Sequence, residues 1–215
     1  MAVRDLGIAF VGDSYVNGSG DPECLGWIGR LCQRRFAEPP RLWFYDLGIP
    51  GELTDSLRDR WAGEVKRRYP PAPGMNVVVM CGLNDTAEAE GSGVLIPHDE
   101  TVANSEAIVI EAKRGYPVLW VGMPPVNVQM SPMHISDEIT MVFDQDRAVA
   151  VNESMKASAE RLDVPFLDIL SPLLANPVYM KSQTEGDGMH PSDTGYELIA
   201  GLVDDWPAWQ AWFSD

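Results

Sequence analysis

A serine, a histidine and an aspartate stand in settings that suit nucleophilic catalysis, at opposite ends of the chain. Near the start, Gly12-Asp13-Ser14-Tyr15 follows a short apolar run and precedes Asn17-Gly18-Ser19-Gly20. A serine placed directly after a strand, on a turn and close to a helix N-terminus, is exposed at a sheet edge with backbone N–H groups nearby for a developing oxyanion. The same placement suits an ordinary turn or capping serine. The elbow Gly-x-Ser-x-Gly does not apply, because Val16 stands two residues after Ser14. Near the end, Asp187-Gly188-Met189-His190-Pro191 precedes an amphipathic stretch. A carboxylate three residues before a histidine can fold back in one turn to bond Nδ1–H, leaving Nε2 to take a serine proton. An Asp-Gly turn before a surface histidine and a proline near a helix start is the plainer reading. Of His98, His134 and His190, only His190 has so near a carboxylate in a glycine-containing turn.

Two loops lie between these ends. In Asp46-Leu47-Gly48-Ile49-Pro50-Gly51-Glu52 a glycine lets a backbone N–H approach a ligand with no Cβ in the way. In Cys81-Gly82-Leu83-Asn84-Asp85 the amide of Asn84 could donate to an oxyanion. Taken singly, each also suits turn chemistry. Taken together and in this order, the blocks Gly12-Asp13-Ser14, Gly51, Gly82-x-Asn84-Asp85 and Asp187-x-x-His190 resemble the SGNH, or GDSL-type, hydrolase family. The resemblance extends from about residue 7 to about residue 200. It implies Ser14 as nucleophile, His190 as general base and then acid, and Asp187 as the group that orients the imidazole. It further implies an oxyanion hole from the N–H groups of Ser14 and Gly51 and the side chain of Asn84, with Asp13 and Asp85 in support and neither metal nor cofactor. Two positions depart from the family pattern: Tyr15 where leucine is frequent, and Asp46 where asparagine often opens the second block.

The elements needed to hold these residues are legible as alternating short apolar runs and longer stretches of helical period. Strands are predicted over 8–12, 42–47, 76–81, 118–122 and 166–169, and helices over 24–37, 53–69, 101–114, 144–162 and 192–204. The pattern predicts an α/β class: a flavodoxin-like doubly wound sandwich, with a central five-stranded parallel sheet and helices on both faces. Ligands in such sheets collect beyond the carboxyl ends of the strands, where three of the four motifs fall. A length of 215 residues fits one domain, 1–215. The 123–143 connection is long and carries Met123, Pro124, Pro125, Val126, Val128, Met130 and Met133, which suit an apolar wall for an acyl group or plain loop packing. Trp206, Trp209 and Trp212 are read as docking the tail onto the body.

Charge narrows the partners. A formal net charge of −16 repels phosphate backbones and anionic lipid, and the short basic clusters Arg34-Arg35 and Lys66-Arg67-Arg68 each end a predicted helix, where they complement its dipole. No nucleic acid is expected, and no apolar run reaches the length of a membrane span. Cys24, Cys32 and Cys81 show no metal spacing and read as buried free thiols of a reducing compartment, hence a cytoplasmic protein. His98 and His134 are too isolated to ligate a metal. The expected activity is hydrolysis of a small-molecule carboxylic ester of small to moderate acyl size, carbohydrate esters included. Acyl transfer or thioester cleavage by the same triad, and a non-catalytic flavodoxin-like binding module, are the alternatives. Homo-oligomerisation is left open.

Overall fold

The computed structural model describes residues 5–36, 40–68, 74–89, 92–134 and 140–214; the expected helix ends at 37 and 69 and the side chains of Met130 and His134 lie outside what it describes. In chain order its strands are β1 (Asp5–Gly12), β2 (Arg41–Gly48), β3 (Met75–Met80), β4 (Glu88–Ala89) and β5 (Gly93–Val94). They continue with β6 (Val118–Val121), β7 (Met133–His134), β8 (Thr140–Val142) and β9 (Phe166–Leu167). The helices are α1 (Ser14–Asn17), α2 (Gly26–Arg35), α3 (Thr54–Arg68), α4 (His98–Lys113) and α5 (Gln145–Leu162). Four more follow: α6 (Leu170–Leu174), α7 (Pro177–Glu185), α8 (Asp193–Asp204) and α9 (Pro207–Gln210).

The main sheet has the order β2-β1-β3-β6-β9, with every neighbouring pair parallel. Its inner strands are apolar on both faces, as a sheet covered twice requires: β3 is buried along its whole length and β1 everywhere but its first residue. Edge strand β2 is more open, with Leu47 its one buried residue. Right-handed crossovers place α2 on one face and α3, α4 and α5 on the other, because the chain reverses direction across the sheet after β2. The packing agrees, with α3 against α4 and α4 against α5, and separately α2 against α8 and α8 against α7. This is the doubly wound α/β sandwich that the sequence predicts.

Strand β9 is shorter than predicted. The chain turns at Asp168, whose carboxylate accepts bonds from Ser171 Oγ (2.6 Å), Ser171 N (3.3 Å) and Asn152 Nδ2 (3.2 Å), and α6 starts there instead. A second sheet, antiparallel in the order β5-β4-β8-β7, joins the segment after Asn84 to the long connection after β6. Arg147 fastens it, pairing with Glu88 at 2.5 Å. The basic cluster at the end of α2 does more than complement a dipole, since Arg34 and Arg35 pair with Glu197 and Asp204 of α8. Cys81 is buried as expected, but Cys32 is only half-buried and Cys24 is exposed. Cys24 lies at φ 56° in a turn closed by its own N–H to the Asp21 carbonyl (3.0 Å), and that backbone turns its side chain outward. Among the described residues no helix is long and apolar enough to cross a membrane.

The tail docks as expected. Trp209 is fully buried, with ring centroids 6.1 Å from both Phe10 and Phe44, 5.8 Å from Trp212 and 5.0 Å from Phe213. Trp209→Ala should therefore cost about 3–5 kcal/mol in urea denaturation, the range for truncating a large buried aromatic. A loss below about 1 kcal/mol, the scale of a surface substitution, would contradict this packing.

Candidate active site

The order of the sheet decides which loops meet. Gly12 of β1 lies opposite Gly48 of β2 on one side and Met80 of β3 on the other. The loops that carry Ser14, Gly51 and Asn84 therefore leave three adjacent strand ends, with the serine in the middle. Gly48 permits a close approach: a Cβ there would stand 2.3 Å from Asn17 N, so α1 could not pack on β2.

Ser14 opens α1. Asp13 caps this helix through Oδ1, which accepts the Tyr15 N–H at 3.0 Å. As the first helical residue, Ser14 has a backbone N–H with no carbonyl of its own helix to bond. Its hydroxyl lies 2.8 Å from His190 Nε2, and His190 Nδ1 lies 2.7 Å from Asp187 Oδ2. The other carboxylate oxygen, Asp187 Oδ1, accepts the backbone N–H groups of His190 (2.7 Å) and Met189 (2.9 Å). Burial works against ionisation of Asp187, but the bond to the imidazole, its charge and the two N–H groups outweigh it and hold the pKa at about 2. The carboxylate thus stays ionised and can stabilise an imidazolium.

The floor beneath this pair is Gly20. At φ 79° it adopts a backbone that favours glycine, and a Cβ would stand 2.9 Å from His190 Cβ and 3.5 Å from Asp187 Oδ2. The loop bearing Gly20 is fixed on both sides. Tyr196 donates its hydroxyl proton to Ser19 O at 2.6 Å, and the buried Asp21 accepts from Gly26 N (2.8 Å) and pairs with Arg30 (2.5 Å).

Gly51 lies at φ 77°, and the space where its Cβ would stand is open, so its backbone rather than crowding calls for glycine. Arg60 of α3 holds this loop against the sheet, donating to Leu47 O (2.8 Å) and Gly12 O (3.2 Å) and pairing with Glu52. Asn84 starts a short 3-10 turn (Asn84–Thr86), and its Nδ2 donates to Glu52 O at 3.0 Å. One amide hydrogen of Asn84 is thereby tied to the residue after Gly51, which leaves the second for another acceptor. Asp85 is fully buried and accepts from the backbone N–H of Thr54 (3.0 Å) and from its hydroxyl, so it caps α3 and joins the second and third loops.

The residues expected from the sequence come to one edge of the sheet: Ser14, His190 and Asp187 in one hydrogen-bonded group, Asp13 as the cap of the serine's helix beside them, and Gly51, Asn84 and Asp85 joined through Glu52 and Thr54. Described residues of the 123–143 connection lie beside the histidine loop, where Val126, Met133 and Phe143 share a small cavity with Gly188 and Met189. Sequence reasoning missed Gly20, Arg60, Tyr15 as a polar partner, and Gln183. Two of these carried a visible signal: Gly20, as a glycine in the turn after the serine, and Tyr15, as a departure from the resembled pattern. His98 Nε2 lies 2.9 Å from Ser154 Oγ.

Known proteins bear on this arrangement in two ways. A family model described as GDSL-like lipase/acylhydrolase matches residues 10–198. Among solved structures, a lipase/acylhydrolase from Enterococcus faecalis superposes with a TM-score of 0.71 at 22% identity, covering 93% of each chain. A lipolytic protein of the G-D-S-L family from Veillonella parvula gives 0.68 at 17% identity, over 93% of this chain and 97% of that one. A mutant of an acetyl-xylooligosaccharide esterase from Geobacillus gives 0.67 at 19% identity, over 94% of each. No curated protein matches the chain. The structural likenesses establish the shared fold, and the family model, matching most of the length, establishes more: the chain belongs to the GDSL-like lipase/acylhydrolase family of hydrolases that act on esters.

Proposed function

We propose that Ser14, His190 and Asp187 form the catalytic triad of a carboxylic esterase, and that Ser14 N–H, Gly51 N–H and Asn84 Nδ2–H form its oxyanion hole. The observation that carries this reading is the continuous relay from Ser14 Oγ through His190 to Asp187, with links of 2.8 and 2.7 Å. A protein that only bound a ligand would have no need of the second link.

In the proposed reaction Ser14 Oγ attacks the ester carbonyl carbon while His190 Nε2 takes the hydroxyl proton, and Asp187 stabilises the imidazolium through Nδ1–H. The carbonyl oxygen becomes an oxyanion and is met by the three donors. When the C–O bond to the alcohol breaks, His190 returns its proton to the leaving oxygen, and Ser14 is left acylated. Water then repeats the sequence, with His190 as base, to release the acid. Ser14 and Asn84 are each only about one-twentieth exposed, which favours a small acyl group. Together with the fold shared with an acetyl-xylooligosaccharide esterase, this supports a short acyl ester of a neutral alcohol such as a carbohydrate as substrate.

Asp13 supports the nucleophile turn at an energetic cost. Burial pushes its carboxyl up to about 7, with Asp85 and Glu52 adding to the rise, against the opposing Tyr15 N–H bond and the nearby His190. Above that pH the ionised carboxylate adds negative charge close to the imidazolium of the acylation step.

On p-nitrophenyl acetate, Ser14→Ala and His190→Ala should abolish turnover, while Asn84→Ala should lower kcat by about 10² to 10³ through loss of one oxyanion donor. Activity unchanged in Ser14→Ala would exclude the assignment. A separate stability measurement checks Asp13. Its folded pKa lies above its unfolded value, so the folded state holds a proton that the unfolded chain has lost between about pH 4 and pH 7. Unfolding free energy should fall with rising pH across that window, and Asp13→Asn, which keeps the cap acceptor, should flatten the fall. Identical pH dependence in the two proteins would show that Asp13 is not the group responsible.

A further inference from the structure

The residue after the nucleophile and the residue before the base are joined by a buried polar contact that triad chemistry does not itself require. Tyr15 is almost wholly buried, and its hydroxyl donates to the Met189 carbonyl at 2.6 Å. Gln183, on α7 and fully buried, brings Nε2 to the same carbonyl (3.0 Å), to Pro125 O (2.9 Å) and to the Tyr15 hydroxyl oxygen (3.2 Å). Asp187 Oδ1 accepts both the N–H of Met189 and the His190 N–H that shares a peptide unit with the Met189 carbonyl. With both groups of Met189 bonded, the backbone entering His190 has little freedom to turn, and the Tyr15 ring lies 5.2 Å from the imidazole.

The arrangement has a cost that an apolar one would avoid. Gln183 Oε1 is buried with no hydrogen-bond partner among the described residues, and desolvating an amide and a phenol is unfavourable unless every polar atom is matched. An apolar side chain such as leucine would fill the space there but could not grip a carbonyl. A polar contact kept at this cost between the two reacting segments suggests a demand on geometry.

We propose that Tyr15 and Gln183 are positioning residues. They set the His190 imidazole against Ser14 by fixing the Met189 carbonyl, and Gln183 also ties the start of the 123–143 connection to that setting through Pro125. The inference rests on the triad reading, and Ser14→Ala, inactive if that reading holds, tests the latter independently. Tyr15→Phe removes one oxygen and keeps the ring, Tyr15→Leu removes both ring and hydroxyl but keeps an apolar side chain, and Gln183→Met keeps approximate volume without the amide.

On p-nitrophenyl acetate each variant should lose about tenfold to 100-fold in kcat, the scale of a small misplacement of a reacting group, with KM changed by less than about twofold. Tyr15→Phe/Gln183→Met should lose less than the product of the single effects, since both residues hold one carbonyl. Gln183→Met alone should also shift the ratio of acetate to octanoate hydrolysis, because only Gln183 holds Pro125. A folded Tyr15→Phe with wild-type kcat, or one altered only in KM, would overturn the proposal while leaving the triad standing. Should Tyr15→Phe not fold, Gln183→Met and Tyr15→Leu decide by the same criteria.

Discussion

The hydrogen bond between Ser14 and His190 joins residues 176 positions apart, so it can exist only when nearly the whole chain has closed. Closing so long a loop costs conformational entropy that one hydrogen bond cannot offset. What brings the ends together is burial: α8, which follows His190 directly, packs on α2, and the tail beyond it sets Trp209 against Phe10 of the first strand and Phe44 of the second. Ion pairs from Arg34 and Arg35 to α8, and the Tyr196 bond to Ser19, then fix the relative position of the two segments. The tail thus contributes to the site without touching it.

At the site, order has been obtained by setting carboxyl groups against the backbone, two of them, Asp13 and Asp85, buried. Asp13, Asp85 and Asp187 all lie at one sheet edge, and each is handled differently. Asp187 keeps its charge because an imidazole and two N–H groups meet it. Asp85 is pushed upward by burial although both groups of Thr54 donate to it, and in return it locks the second loop to the third. Asp13, met by a single N–H, is shifted far enough to titrate near neutrality. Asp13 and Asp85, both pushed upward, lower the stability of the fold, a pattern common where side chains must be held ready for chemistry, whereas the depressed Asp187 adds to it at neutral pH. Glu52 is the exception, with Arg60 alongside and a backbone carbonyl that orients Asn84.

Much of this was legible in the sequence, for definite reasons. Strand ends and helix starts are marked locally by apolar runs that stop at glycine, serine and asparagine, so the motif residues could be assigned to the correct edge before any coordinates. The short spacing of Asp187 and His190 made their bond possible, although a plain Asp-Gly turn has the same spacing. What could not be read was contact between distant segments. Nothing in the neighbourhood of Gln183 announces that its amide meets Tyr15 and Pro125, and nothing around Gly20 says that it lies under His190 rather than in a plain turn. The second sheet escaped notice because β4, β5 and β7 are two residues long, too short for any period to register. The burial expected of Cys24 fails because the turn closed on Asp21 faces its side chain outward, a contact that local sequence does not announce.

The central claim is that the hydroxyl of Ser14, activated by His190, forms the covalent intermediate. Peptide mapping by mass spectrometry after treatment with a fluorophosphonate tests it most directly, since the reagent stops the reaction at the nucleophile. The account predicts one phosphonyl group per chain, located on Ser14, at a rate that collapses in His190→Ala. An adduct on another residue, or equal labelling of Ser14 without the histidine, would contradict it.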